Sequence, residues 1–102
     1  MLCGGVAPGL KPTSPEVVAL AEKHRADAEA HLGRQFQDWN VLGFSTQVVA
    51  GKNYWIKIAV EGGEHVHVKI YQPLGNAESQ FTTAEAGKSL EDPFVVYKPI
   101  ED

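Results

Sequence analysis

Cysteine is nearly missing from this chain: Cys3 is the one thiol among 102 residues. An internal disulfide is therefore excluded, and the composition suits a reducing compartment. Positive charge is also sparse. Nine Lys and Arg against thirteen Asp and Glu leave a net charge of −4, and the cations are spread along the chain rather than clustered. Nucleic-acid binding, which rests on a concentrated basic footprint, is thereby excluded, and an anionic membrane surface is disfavoured. No apolar run approaches the roughly 20 residues needed to span a bilayer. The opening residues Met1-Leu2-Cys3-Gly4-Gly5-Val6 lack the charged leader and apolar stretch of a signal peptide. The expectation is a cytoplasmic protein. With 43% hydrophobic content, residues 1–102 form one small domain with one core and no space for a separate catalytic domain.

What is present divides into a punctuated leader, a helix and a run of strands. Gly4, Gly5, Pro8, Gly9 and Pro12 are too many backbone breakers for a regular element, so residues 1–12 form a mobile or extended trunk. Thr13-Ser14-Pro15-Glu16 carries a hydroxyl cap, a proline for the first turn and an acid at the positive end of the helix dipole. From Val17, one stripe of Leu20, Ala21, His24, Ala28, His31 and Leu32 recurs at three- and four-residue steps. A single helix is expected, ending near residues 33–35.

Beyond the helix, position parity carries the signal. Leu42, Phe44, Tyr54, Ile56, Ile58, Val60, Val66, Val68 and Ile70 are even; Ser45, Lys57, Glu61, His65, His67 and Lys69 are odd. Strands with one buried face have this alternation, giving strands near 39–47, 53–61 and 64–72. Gly62-Gly63 reads as a tight hairpin turn that tolerates positive φ. A last strand falls on Phe81-Thr82-Thr83 or on Phe94-Val95-Val96-Tyr97. One helix against an antiparallel meander is an α+β domain.

The connection Gln47-Val48-Val49-Ala50-Gly51 has the wrong chemistry for an ordinary turn, because two valines stand where Gly, Asn or Asp usually do. Apolar side chains at a hairpin tip favour a contact surface over a mere connector. Gly51 is different, since a bend there needs positive φ whatever the function. This stretch, followed by Asn53-Tyr54-Trp55-Ile56-Lys57, resembles the first binding hairpin of the cystatin superfamily and most of all its stefin branch. The likeness extends to Gly4, to the helix entry from Pro12 to Pro15, and to Val66-His67-Val68-Lys69.

The resemblance implies one long α-helix packed on a four- to five-stranded antiparallel β-sheet. It also implies a reversible, tight-binding, non-covalent inhibitor of papain-like, cathepsin-type cysteine proteases, with no enzymatic activity, cofactor or metal of its own. Alternating strand direction puts the loop at Gln47 to Lys52 and the loop at Pro73 to Asn76 at one end of the sheet. A helix of about 20 residues spans roughly 30 Å, which returns its N-terminus, and the trunk, to that same end. The wedge so formed comprises Leu2, Cys3, Gly4 and Gly5 of the trunk, Gln47, Val48, Val49, Ala50 and Gly51 of the first loop, and Pro73, Leu74 and Gly75 of the second. Either Gly4 or Gly5 lets the backbone pass close to the protease thiolate without a Cβ.

Three features depart from the family pattern. Pro73 precedes Leu74 where family members carry Leu-Pro, the trunk between Gly4 and Pro12 is one residue longer, and residues 92–102 match poorly. The competing reading is a non-inhibitory interaction protein that exchanges its hairpin between protomers in a domain-swapped dimer, in contrast to a monomeric inhibitor. His65 and His67 share a strand face but lack a third ligand at metal spacing, and an exposed polar face is the expectation for them. His24 and His31 read as stripe-edge residues. Cys3, without a base beside it, is a trunk contact rather than a nucleophile.

Overall fold

A computed structural model describes residues 10–75 and 77–92. Among the described residues, five strands form one fully antiparallel sheet in chain order: β1 (Lys11–Pro12), β2 (Asn40–Val49), β3 (Gly51–Ala59), β4 (His65–Gln72) and β5 (Gln80–Lys88). Two helices, α1 (Pro15–Lys23) and α2 (Arg25–Leu32), precede the meander. Ser14 caps α1 by accepting the Val17 N–H at 3.3 Å, and Gly33 ends α2 in the left-handed region at φ 72°.

The expected single helix is interrupted at His24, whose φ of −106° and ψ of 14° leave the helical basin. Its N–H is shared between the carbonyls of Leu20 and Ala21, at 3.3 and 3.2 Å. The apolar stripe nevertheless runs through the break. Val17, Ala21 and Ala28 are buried against Ile56, Ile58, Val66, Val68 and Ile70 of the sheet. The two alanines carry no more than a methyl group, which lets the helices approach the branched strand residues closely. Each large side chain removed from water there contributes about 1.5 to 3 kcal/mol.

The even positions Ile56, Ile58, Val66, Val68 and Ile70 of β3 and β4 are buried as alternation requires, but the pattern fails in two respects. In β2, Val41 rather than Leu42 is buried, because a register shift between Val41 and Gly43 moves the strand by one residue. Position 43 must be glycine at this bulge: a Cβ there would come within 2.5 Å of the Lys11 carbonyl oxygen. On the odd face, Lys57 is fully buried and His67 is 4% exposed, so that face is not the solvated surface expected from alternation. The Lys57 ammonium donates to the carbonyls of Ser89 at 2.7 Å and Asp92 at 3.0 Å, which bring the turn after β5 over the sheet. Burial lowers the Lys57 pKa, with Asp92 opposing.

The last strand includes Phe81-Thr82-Thr83 and continues through the polar residues to Lys88; Phe94 to Tyr97 lie outside the described residues. Lys11 and Pro12, assigned to the leader, pair with Phe44 and Gly43 as a short edge strand. Gly62 and Gly63 both take positive φ, within a three-residue 3-10 turn from Glu61 to Gly63.

That turn marks one pole of the sheet. Glu61 accepts the N–H groups of Gln37 and Asp38 at 3.0 and 3.1 Å, and Arg34 bonds Glu61 and Glu64, fixing the helix exit to the β3–β4 turn. These donors hold the Glu61 carboxyl below its usual range, the Asp38 N–H foremost. The two remaining loops lie at the opposite pole. Among the described residues, no helix is long and apolar enough to cross a membrane.

Candidate functional site

At the pole opposite Glu61, the β2–β3 hairpin is tighter than the expected loop at Gln47 to Lys52. Val48 pairs with Lys52 and Val49 with Gly51, leaving Ala50 alone at the bend. Gly51 has φ 116°, as a bend there requires. It also has no room for a side chain, since a Cβ would lie 2.5 Å from the Gln72 carbonyl oxygen and 3.1 Å from the Pro73 Cα. The two loops therefore touch through backbone. Tyr71, at the end of β4, donates its hydroxyl hydrogen to the Ala50 carbonyl and fastens the hairpin tip from the second loop's side.

Gln47 stabilises the stem by accepting from the Asn53 side-chain amide at 3.3 Å. Val48 and Leu74, 78% and 71% exposed, line one open groove together with Gly51, Pro73 and Gly75. Val49 is exposed on the same hairpin and does not line the groove. Five of the sequence-derived site residues are thus brought together, with Gln47, Val49 and Ala50 adjoining them. Leu2, Cys3, Gly4 and Gly5 lie outside the described residues. β1 runs antiparallel to β2, so its N-terminal end points toward the Val49 end of that strand.

Three groove residues were not anticipated: Lys52, Gln72 and Ala77. The register could have revealed two of them, because Lys52 and Gln72 are cross-strand partners at the ends of β3 and β4. Gln72 also closes the second loop, its side-chain amide donating to the Ala77 carbonyl at 2.6 Å.

His31 matches its stripe-edge reading, exposed and edge-on to Phe81 at 5.6 Å. His24 does not: it is buried at 5% exposure. Its Nδ1 and Nε2 each lie 2.8 Å from a partner oxygen, on Asp27 and Ser79 respectively. His67 is driven by burial to a pKa of about 4, with the Lys57 and Lys88 charges adding to the shift. Among the described residues, no group of three or more His, Cys, Asp or Glu is placed to hold a metal ion.

The model of the cystatin domain matches residues 4–91. The chain belongs to the cystatin family. Within that family, Cystatin-A of Felis catus is 32% identical over 94 residues, covering 90% of this chain and 95% of the cat protein. Cystatin-B of Paralichthys olivaceus is 36% identical over 93 residues, covering 90% of each. A protein of Sus scrofa named leukocyte cysteine proteinase inhibitor 1 is 33% identical over 78 residues, covering 76% of this chain and 75% of its own length. These relatives put the cystatin chain in the stefin branch, and cystatins are inhibitors of proteases, not enzymes.

Proposed function

We propose that this chain is a reversible, tight-binding, non-covalent inhibitor of papain-like cysteine proteases of the cathepsin type, acting in the cytoplasm as a monomer. The trunk residues Leu2, Cys3, Gly4 and Gly5, the Gln47 to Gly51 hairpin and the Pro73-Leu74-Gly75 loop enter the active-site cleft as one wedge. Cysteine protease inhibition is supported by family membership and by the porcine relative named for it. The observation that carries the wedge reading is the pairing of Val48 and Leu74, two exposed apolar side chains on different loops that line a single groove.

Ordinary surface chemistry gives no reason to leave such a pair in water. Covering a valine or leucine fully contributes about 1.5 to 3 kcal/mol each. The hairpins are already held by Tyr71 and by the Gly51 contact, so they lose little conformational entropy on docking. Trunk contacts govern residence time more than encounter rate, since differences between related complexes fall mainly in dissociation.

Blockade without bond formation leads to a direct test. Papain whose catalytic thiol carries a small methylthio group retains binding to the chain in gel filtration, whereas an inhibitor that must react with the thiol loses it. Deletion of residues 1–5 accelerates dissociation; a truncated chain that dissociates at the full-length rate contradicts the trunk's role.

A further inference from the structure

Everything the groove shows concerns the tips of the two loops; how the second tip is held in place is a separate matter. Its exit residues are tied at three successive positions. Gln72 takes the Ala77 carbonyl, Lys23 pairs with Glu78 at 2.7 Å, and His24 bonds the Ser79 hydroxyl at 2.8 Å. Two of these anchors come from the point where the helical segment is interrupted. His24 and Ser79 are 55 residues apart in sequence and both buried, at 5% and 8% exposure.

Asp27 fixes the chemistry of the relay. Its carboxylate only accepts, so His24 Nδ1 carries the hydrogen, and in the neutral ring Nε2 accepts from the Ser79 hydroxyl. The order Ser–His–Asp is that of an acyl-transfer relay, but its burial is inverted. The Asp27 side chain is 54% exposed while Ser79 is enclosed, so a substrate carbonyl has no approach to the serine oxygen. The relay holds structure in place and performs no chemistry.

We infer that His24 and Ser79 are positioning residues for the second docking loop: the Asp27–His24–Ser79 relay fastens its exit to the helix break and thereby sets Leu74 beside Val48. This rests on the protease-docking reading above. Ser79 directly precedes β5, whose first residue Gln80 pairs with Tyr71, the residue that also fastens Ala50. Slack at Ser79 therefore reaches both loops through one short stretch of sheet.

Ser79→Ala removes one oxygen, and Ser79→Thr keeps the hydroxyl. Dissociation from papain should accelerate roughly threefold to tenfold in Ser79→Ala, the range for losing one hydrogen bond, and should return toward the original rate in Ser79→Thr. In double-mutant cycles the effect is non-additive with Leu74→Ala, because a loop without its anchor side chain has nothing to position. An unchanged dissociation rate in Ser79→Ala, or additivity with Leu74→Ala, overturns the inference. If the unmodified chain fails to inhibit papain, the docking reading fails instead. The anchoring is then read from amide hydrogen exchange at Leu74 and Gly75 in the free protein: faster exchange in Ser79→Ala upholds it, and equal exchange overturns it.

Discussion

A side chain at position 51 would collide with the backbone of Gln72: a Cβ there would stand 2.5 Å from the Gln72 carbonyl oxygen, where neither partner can rotate aside. Gly51 also holds φ at 116°, so any L side chain adds conformational strain to the clash. Gly51→Ala is expected to lower stability by about 2 kcal/mol or more in urea denaturation. It should also push the β2–β3 hairpin away from the second loop and weaken papain inhibition. A Gly51→Ala chain of unaltered stability and affinity would refute this account of how the loops are joined.

Val48 and Leu74 are so exposed in the free chain that shortening either leaves the fold intact. Val48→Ala and Leu74→Ala should each weaken inhibition by roughly tenfold, about 1.4 kcal/mol, with the urea midpoint unchanged. Inhibition constants for the two variants check this, and a loss of stability with no loss of affinity would assign these residues to the fold rather than to the partner.

His67 gives the chain a dependence on acid. Burial, followed by the charges of Lys57 and Lys88, lowers its pKa from the ordinary 6.5 to about 4, with Asp92 opposing and His65 adding to the shift. The unfolded chain then takes up the proton before the folded one. The stability associated with neutral His67 is fully present above pH 6.5 and is lost as pH falls toward 4. Between pH 7 and pH 5 the loss is on the order of 2 kcal/mol. Urea unfolding across that range should show it, and His67→Gln should flatten the profile; an equally steep profile in the variant would assign the effect to other groups.

Much of this was legible in the sequence, and the exceptions have physical causes. Ile56, Ile58, Val66, Val68 and Ile70 announce the core face because strand alternation is local and needs nothing from the rest of the chain. Val48 and Val49 stand out because a turn composition was violated. Leu42 misleads because the register shift between Val41 and Gly43 moves the strand by one residue, beside a glycine that Lys11 approaches too closely for a side chain. The break at His24 and the burial of Lys57 are set from a distance. The partner of one is Ser79, and those of the other are carbonyls at Ser89 and Asp92, which polar composition alone does not distinguish from surface. Lys52, Gln72 and Ala77 were missed because a groove between loops is a property of register rather than of residue type.

Titration of active papain with the full chain, followed by residual hydrolysis of a fluorogenic peptide, tests the central claim most directly. The account predicts a linear fall in activity that reaches zero near a one-to-one molar ratio and recovers on dilution and prolonged incubation. Papain that cleaves its substrate at full rate in molar excess of the chain would contradict it.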